Sequence, residues 1–265
     1  MKKSIVFLGG DERMRFAAGY LSDCGFAVSS CFPPFLTEKS ILSDTVVLPL
    51  PVIKNGFLFS PESDEKISIS QLADIIGTDK TVLGGMIDKE LEKNLEENGN
   101  TVIDYYTDER LLGENAVLTA KAVCRLIEIN NINVRDGEIF ILGFGRCGKA
   151  LKNELTKIGG NVTAVTSQSP SDVNFISFNE LDNNLNRAKL IINTVASPVL
   201  GKEELKMINK DCVIIEIASA PFGVDFDEAE KRNINLIYAP SLPGRFFPKE
   251  AGEVIAKTIE PYLRR

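Results

Sequence analysis

The stretch GEIFILGFGRCGKAL, residues 137–151, decides the fold of this 265-residue chain. A short apolar run typical of a buried strand leads into a glycine-rich bend and then into residues of helical character. Three of its glycines have the G-x-G-x-x-G spacing, which permits a tight turn, close approach of the backbone to a pyrophosphate, and close packing of helix on strand. The following helix N-terminus offers N–H groups to phosphates. The strand–turn–helix context favours a dinucleotide-binding loop over an ordinary tight turn, and its predicted residues are Gly143, Phe144, Gly145, Arg146, Cys147 and Gly148.

Apolar runs alternate with segments of helical period along the whole chain. Buried strands are predicted at 4–10, 46–50, 81–85 and 101–104, and again at 138–145, 161–166, 188–194, 212–219 and 234–239. Helices are predicted at 12–23, 69–76, 88–98, 113–131, 147–158, 178–184, 202–208, 226–232 and 249–262. This alternation predicts an α/β fold of two Rossmann-like domains with parallel sheets joined by a long helix. We expect a first domain at 1–112 and a nucleotide-binding domain at 113–247, with the final helix (about 248–265) packing back on the first.

Composition excludes several classes of function. The net charge of −7 argues against binding to nucleic acid or to anionic membranes. The five cysteines, at 24, 31, 124, 147 and 212, form no C-x-x-C pair and the chain has no histidine, so no metal site is predicted. The apolar run after the two N-terminal lysines is too short for a signal peptide, and none approaches the roughly 20 residues of a membrane span. We therefore expect a reduced, cytoplasmic protein.

The end of the second predicted strand of the nucleotide-binding domain indicates the cofactor. NAD sites usually place an Asp or Glu there to bind the ribose hydroxyls, but this chain has Thr166, Ser167 and Gln168. Hydroxyl and amide groups can donate to a 2′-phosphate, and Arg146 can pair with it, so NADP is favoured over NAD. Thr194 ends another strand and is predicted to lie against the nicotinamide ribose.

The chain resembles the family of dipicolinate synthase A subunits, which is related in plan to the formate/glycerate and hydroxyacid dehydrogenases. Four stretches carry the resemblance: GGDER (9–13), ILGFGRCG (141–148), EIASAPFGVDF (216–226) and APSLPGRFFPKEAGEVI (239–255). The resemblance implies an NADP-linked oxidation of a dihydrodipicolinate-type precursor to dipicolinate during sporulation. It also implies that a flavoprotein-like B subunit is a partner. A homo-oligomer is an open possibility.

One stretch departs from the family pattern. In NAVLTAKAV (115–123), Asn115 and Thr119 match, whereas Leu118, Lys121 and Ala122 replace a proline, a glutamate and a glycine. The resemblance places Asn115 and Thr119 in the substrate site. Lys121 reverses a charge there and is one of the catalytic candidates. A regulatory or non-catalytic NADP-binding subunit, or a dehydrogenase of another small acid, therefore stays open as an alternative.

A cyclic dicarboxylate needs cationic or N–H donors at two points. Gly10 and Asp11 are predicted to contribute to an anion-binding nest with Arg13 beside it, and a tight turn with solvated charges is the alternative. Lys249 follows Pro248 at the start of the last helix, where anions are attracted.

Two further candidates lie in or after an apolar strand of the nucleotide-binding domain. Ser219 stands at the carboxyl end of that strand, as both a catalytic and a substrate-binding candidate. Glu216 lies within the strand and is a candidate general base, whereas Asp225 is predicted to cap the next helix.

The absence of histidine bears on the chemistry. It argues against a hydroxyacid dehydrogenase that uses a histidine–carboxylate pair, because alcohol oxidation needs a base on the hydroxyl. Loss of hydride from a dihydropyridine-type ring produces an aromatic ring and needs only modest base assistance. Positioning would then supply most of the catalysis.

Overall fold

The computed structural model describes residues 4–31 and 43–264, and the chain divides into two compact units. One unit combines Met1–Asn115 with Phe247–Arg265, and the other is Ala116–Phe246. The strands are β1 (Ser4–Leu8), β2 (Ala27–Cys31), β3 (Thr45–Val47), β4 (Ile53–Lys54), β5 (Phe57–Leu58), β6 (Thr81–Gly84), β7 (Thr101–Asp104), β8 (Glu138–Leu142), β9 (Asn161–Val165), β10 (Asn174–Ile176), β11 (Ala188–Asn193), β12 (Val213–Glu216) and β13 (Asn235–Tyr238). The helices are α1 (Glu12–Asp23), α2 (Ile69–Ile76), α3 (Lys89–Glu97), α4 (Glu109–Ile129), α5 (Arg146–Lys157), α6 (Lys202–Met207), α7 (Phe226–Lys231), α8 (Leu242–Phe246) and α9 (Pro248–Leu263).

The first unit contains a parallel sheet in the order β2-β1-β3-β6-β7, with the antiparallel hairpin β4–β5 beside it. This is the 2-1-3-4-5 order of one common doubly wound fold. The final helix α9 packs on α1, and a Cβ atom at Gly252 would overlap the carbonyl oxygen of Arg13 and lie 2.8 Å from Cβ of Phe16. The glycine therefore lets the two helices approach closely.

The second unit contains a parallel six-stranded sheet in the order β10-β9-β8-β11-β12-β13. Counted within the unit, this is the 3-2-1-4-5-6 order of dinucleotide-binding domains. The order reverses between β8 and β11, which pair in register from Ile139 with Leu190 to Leu142 with Asn193. The long helix α4 carries the chain from one unit to the other, so the predicted α/β class with two parallel sheets and a joining helix is confirmed.

The central strands of each parallel sheet, such as β1, β3, β8 and β11, are apolar along their length because helices and connections cover both faces of the sheet. In the second unit, buried residues such as Phe140, Leu142, Ile191 and Ile214 form one core. Val46, Leu72 and Leu91 belong to the corresponding core of the first unit. Each unit thus has its own hydrophobic core.

The structure differs from the sequence prediction in several elements. The predicted helix at 178–184 is wrong, because the segment begins with a 3-10 turn at Phe178–Glu180 and a second 3-10 turn follows it at Leu185–Arg187. The strands β2 and β10, the hairpin β4–β5 and the helix α8 were not predicted. The predicted first strand, 4–10, ends at Leu8, because Gly9 and Gly10 have φ angles of 66° and 100° and turn the chain.

Candidate functional site

The glycine loop joins β8 to α5 in a conformation that requires glycine at two positions. Gly143 has a φ of 87°, and a Cβ atom there would lie 2.5 Å from Oγ1 of Thr194 and 2.8 Å from Cγ2 of Val195. A Cβ atom at Gly148 would overlap the carbonyl oxygen of Gly143. The first and third glycines thus permit the turn and the close packing of helix on strand that the sequence pattern predicts.

The second glycine leaves the start of α5 open to an external acceptor. Gly145 is the N-cap residue, and no side chain caps the helix. The carbonyl oxygen of Gly145 accepts the first helical hydrogen bond from the backbone N–H of Lys149, at 2.9 Å. The N–H groups of the first turn have no acceptor within the helix, and the helix dipole favours an anion beside them.

Two side chains of the first turn differ in exposure. Arg146 is exposed and Cys147 is half-buried. Burial raises the pKa of the Cys147 thiol, and the Arg146 guanidinium opposes that rise. The thiol is therefore neutral at physiological pH. No thiolate of Cys147 neutralises the positive end of the helix dipole.

The loop lies at the point where the strand order of the sheet reverses. Thr194 follows β11, and its backbone N–H and its hydroxyl both donate to the carbonyl oxygen of Leu142 at the end of β8, at 3.0 and 2.8 Å. Ligands of doubly wound sheets bind outside the carboxyl ends of the strands at this switch point. Thr194 therefore fixes the two strand ends that would flank a ligand.

Hydroxyl and amide side chains follow β9, where a carboxylate would select NAD. Thr166 is buried, and its hydroxyl accepts a hydrogen bond from the backbone N–H of Gln168 at 3.1 Å, while Ser167 and Gln168 are exposed. Asp172 lies further along this connection, and Nζ of Lys152 donates to its carboxylate at 2.9 Å. That hydrogen bond lowers the pKa of Asp172. The negative charge nearest in sequence to this strand end is thus paired with a cation.

A cleft of about 570 Å³ lies within the second unit, and one of its lining residues, Val195, approaches Gly143 of the glycine loop. Its lining includes Phe178, Leu181, Val195 and Pro198, together with the carboxylate-bearing Asp182 and Glu204. Val195 also lies against the backbone of Gly143, because a Cβ atom at Gly143 would be 2.8 Å from Cγ2 of Val195. The lining residues from the 178–182 segment were not among the predicted site residues, because a helix was predicted there and no motif marks them.

The prediction of Glu216 as a general base is contradicted by its surroundings. Its side chain is 0% exposed, and its carboxylate accepts hydrogen bonds from Asn193 Nδ2 and from the backbone N–H groups of Ala218 and Gly223. Burial raises the pKa of Glu216, and these hydrogen bonds oppose the rise. A carboxylate whose oxygens are all engaged inside the protein cannot reach a substrate proton. Ser219, by contrast, is exposed beyond the end of β12.

The anion nest predicted at Gly10, Asp11 and Arg13 is also wrong. The backbone N–H of Gly10 donates to the carbonyl oxygen of Phe59 at 2.7 Å. Asp11 caps α1 with its own carboxylate, which accepts from the backbone N–H of Arg13 at 3.1 Å. The Arg13 side chain, 7% exposed, donates to both Asp11 oxygens and, at 2.6 Å, to the carbonyl oxygen of Leu50. The loop satisfies its own charges, because Asp11 takes the place that a ligand anion would need.

The remaining candidates lie on two helices. On α4, Asn115 and Thr119 are four residues apart and share one face, whereas Lys121 points about 160° away from Thr119. Lys121 lies on the exposed stripe of that helix with Val117 and Arg125. The helix therefore does not place Lys121 beside Asn115 and Thr119, and the roles of Lys121 in catalysis and of Asn115 and Thr119 in substrate binding stay predictions.

On α9, Pro248 occupies the first turn and Lys249 is exposed beside it. The predicted cap at Asp225 is confirmed, since its side chain accepts from the backbone N–H of Glu228 at 3.0 Å. Lys249 thus lies at a helix N-terminus without a side-chain cap.

Comparisons with known proteins point to one family. A family model for the N-terminal domain of the dipicolinate synthase A subunit matches residues 4–106. The dipicolinate synthase A subunit of Bacillus subtilis (strain 168) is 24% identical over 230 residues, which cover 83% of this chain and 77% of that protein. The chain is therefore similar to the dipicolinate synthase A subunit over most of its length.

Solved structures agree on the fold of this chain. The crystal structure of the dipicolinate synthase A subunit from Bacillus halodurans superposes with a TM-score of 0.82 at 21% identity, covering 100% of this chain and 99% of that one. A Salmonella D-lactate dehydrogenase superposes with a TM-score of 0.64 at 12% identity, covering 98% of this chain and 96% of that one. The fold is thus one that dehydrogenases use.

The described residues contain neither a metal cluster nor a membrane-spanning helix. Across residues 4–31 and 43–264, no three His, Cys, Asp or Glu side chains are grouped so that they would hold a metal ion. Within the same ranges, no helix combines the length and the apolar character that crossing a membrane requires.

Proposed function

We propose that the chain is the NADP-binding A subunit of a dipicolinate synthase. It would oxidise a dihydrodipicolinate-type cyclic dicarboxylate to dipicolinate. The observation that carries the proposal is the uncapped N-terminus of α5, which follows the glycine loop at the switch point of a 3-2-1-4-5-6 sheet. The similarity to the dipicolinate synthase A subunit supports the substrate class. NADP⁺ held at the N-terminus of α5 would supply a hydride acceptor, and the dihydro ring would become aromatic by losing a hydride and a proton.

The residues of the second unit fit a dinucleotide. A pyrophosphate would accept hydrogen bonds from the first-turn N–H groups of α5, which no side chain caps. The cleft beside Val195 combines apolar side chains such as Phe178 and Leu181 with the carboxylates of Asp182 and Glu204, which suits a flat, uncharged ring that carries N–H donors. The adenine ring of the cofactor has that chemistry.

NADP is preferred to NAD in this proposal because of the residues after β9. Ser167 and Gln168 are exposed donors, and Lys152 pairs with the nearby Asp172. A 2′-phosphate would therefore meet hydrogen-bond donors without facing an unpaired carboxylate from residues 166–172.

One observation favours a second candidate, an NADP-binding subunit without turnover of its own. Of the three predicted catalytic residues, Glu216 is buried and Lys121 lies on a separate helix face, which leaves the weakly basic Ser219. In this version a second, flavoprotein-like subunit would be needed for turnover. The subunit designation of the relatives supports a partner in either case.

Fluorescence titration of the purified protein with NADPH and NADH, each with and without dipicolinate, tests the proposal. We expect tighter binding of NADPH, strengthened by dipicolinate. A Ser167→Asp variant should weaken NADPH binding and improve NADH binding, because a carboxylate repels the 2′-phosphate and accepts from ribose hydroxyls. Ser70→Asp, an exposed position in the first unit, is the matched control.

The outcomes separate the parts of the proposal. If neither nucleotide binds, the dinucleotide function is wrong. If NADPH binds but dipicolinate has no effect, the substrate class is wrong. Absorbance assays of NADP⁺ reduction with a dihydrodipicolinate-type substrate distinguish the catalytic subunit from the subunit without turnover.

A further inference from the structure

A buried carboxylate joins the ends of two neighbouring strands in the second unit. Glu216 ends β12 and Asn193 ends β11, and the two residues are partners in the parallel register. Nδ2 of Asn193 donates to both oxygens of Glu216, at 3.0 and 2.8 Å. Both side chains are 0% exposed, so the pair is shielded from water.

The same carboxylate holds the segment that follows β12, residues 217–224. The backbone N–H of Ala218 donates to Oε1 of Glu216 at 2.8 Å, and that of Gly223 donates to Oε2 at 3.0 Å. The carboxylate therefore receives hydrogen bonds near both ends of segment 217–224 and fixes its path.

Asn193 holds the segment that follows β11 in a similar way. Its Oδ1 accepts from the backbone N–H of Val195 at 3.1 Å, and its Nδ2 donates to the carbonyl oxygen of Val195 at 3.0 Å. A Cβ atom at Gly223 would lie 2.8 Å from Cγ of Asn193 and 2.9 Å from the oxygen of Val195. The two strand-end segments thus pack directly on the Asn193–Glu216 pair.

A carboxylate in this place costs more than an uncharged group would. Its donors include the Asn193 amide and backbone N–H groups such as those of Ala218 and Gly223, and none of these groups carries a charge that would offset burial. A buried N–H that loses its acceptor also destabilises the fold, because it gives up hydration without gaining a partner. A carboxylate, with two oxygens that only accept, suits a segment that presents several N–H groups to one point.

The position of this pair in the sheet indicates what it serves. Under the proposed function, the glycine loop and the end of β9 hold the adenosine half of NADP. The other half of the sheet, beyond the switch point, then receives the nicotinamide half. Segment 217–224 lies there, with the exposed Ser219 in it.

We propose that Glu216 is a positioning residue which holds segment 217–224 in the shape that binds the nicotinamide half of the dinucleotide. This inference rests on the proposed function, because it presumes NADP binding. Glu216 does not touch the ligand, and it acts through the backbone of segment 217–224.

A Glu216→Gln variant tests the role with little change in volume. The amide NH₂ cannot accept, so the N–H of Ala218 or of Gly223 loses its partner. We expect NADPH to bind about tenfold more weakly, equivalent to about 1.4 kcal/mol. We expect 2′,5′-ADP, which lacks the nicotinamide half, to bind as it does to the wild type.

Glu138→Gln is the matched control, because Glu138 begins β8 at the opposite end of the same sheet. Its carboxylate accepts from the hydroxyl of Thr163 at 2.6 Å and pairs with Arg187 at 3.2 Å. This variant should bind both ligands like the wild type. It shows the effect of losing a partly buried acceptor that is remote from the carboxyl ends of the strands.

Hydrogen exchange of the wild type keeps the test independent of the variant's folding. NADPH should slow exchange at the amides of 217–224, and 2′,5′-ADP should leave it unchanged. Equal weakening of both ligands by Glu216→Gln, no weakening of either, or unprotected amides with NADPH would overturn the inference. Failure of the wild type to bind NADPH at all would instead refute the proposed function.

Discussion

Replacing Gly148 with alanine tests whether the glycine loop depends on close packing of α5 on β8. A Cβ atom at Gly148 would overlap the carbonyl oxygen of Gly143, lie 3.1 Å from the carbonyl carbon of Gly143 and lie 3.5 Å from Cγ2 of Ile141. Outside its own residue and the adjacent ones, a real Cβ atom essentially never comes within 3.0 Å of a heavy atom. Because the obstructing atoms are backbone, no side-chain rotation relieves the overlap. The start of α5 must move away from β8.

The expected cost of Gly148→Ala follows from this overlap. Overpacking that forces a backbone shift costs about 1–3 kcal/mol of folding free energy. In a unit of this size, that loss lowers the melting temperature by roughly 4–15 °C. A displacement on the order of 1 Å at a binding site can also weaken function about a hundredfold. Thermal unfolding followed by circular dichroism and titration with NADPH measure the two effects.

Gly145→Ala is the control that separates packing from binding. Nothing lies within 4 Å of a Cβ atom at Gly145, and its φ of −77° suits any residue. We therefore expect the melting temperature to stay that of the wild type. NADPH binding should still weaken, because the added methyl group stands where the backbone would approach a pyrophosphate. If Gly148→Ala melts like the wild type and binds NADPH normally, the packing argument is refuted.

Two further predictions concern charged residues. Lys121→Glu should stabilise the protein by about 0.2–0.5 kcal/mol, because a carboxylate at this exposed position pairs with Arg125 one turn on. Urea denaturation measures this change. A measurable loss of NADPH affinity in the variant would contradict the placement of Lys121 away from the nucleotide site. Burial raises the pKa of Glu216, so the folded state holds this proton more tightly than the unfolded state does. Protonation of Glu216 therefore stabilises the fold fully below the ordinary carboxyl pKa of about 4.3. This stabilisation is lost as the pH rises through the raised pKa of Glu216. The difference in unfolding free energy between wild type and Glu216→Gln should fall across that window, and a flat difference would show that the pKa is not raised.

Regular elements with strong periodicity were predictable from sequence. The helices at 12–23 and 69–76 have the predicted bounds, because α1 begins at the Asp11 cap and α2 at the Ser68–Gln71 capping box. The strand β2 was not predicted, because its sequence AVSSC is short and half polar. The segment 178–184 forms 3-10 turns, since its Asn and Asp residues favour local backbone hydrogen bonds over a helix.

The glycine loop was predictable because its chemistry is local. Three glycines within six residues describe the turn, the phosphate contact and the packing of the helix, with no need for distant partners. The role of Glu216 was not predictable in this way. Its partner Asn193 is 23 residues away in sequence, and only the pairing of β11 with β12 brings the two together. A carboxylate near a strand end therefore looks like a catalytic base until its hydrogen-bond donors are known.

The β1–α1 and β8–α5 junctions show what distinguishes a helix N-terminus that can bind an anion from one that cannot. Both β1 and β8 lead through glycines into a helix, and both helices begin with N–H groups that lack helical acceptors. In α1 the N-cap residue is Asp11, whose carboxylate accepts from that first turn and pairs with Arg13. In α5 the N-cap residue is Gly145, which has no side chain to offer. The residue at the N-cap therefore decides whether the positive end of the helix is neutralised from within or is left for a phosphate, and that residue can be read from the sequence once the helix start is known.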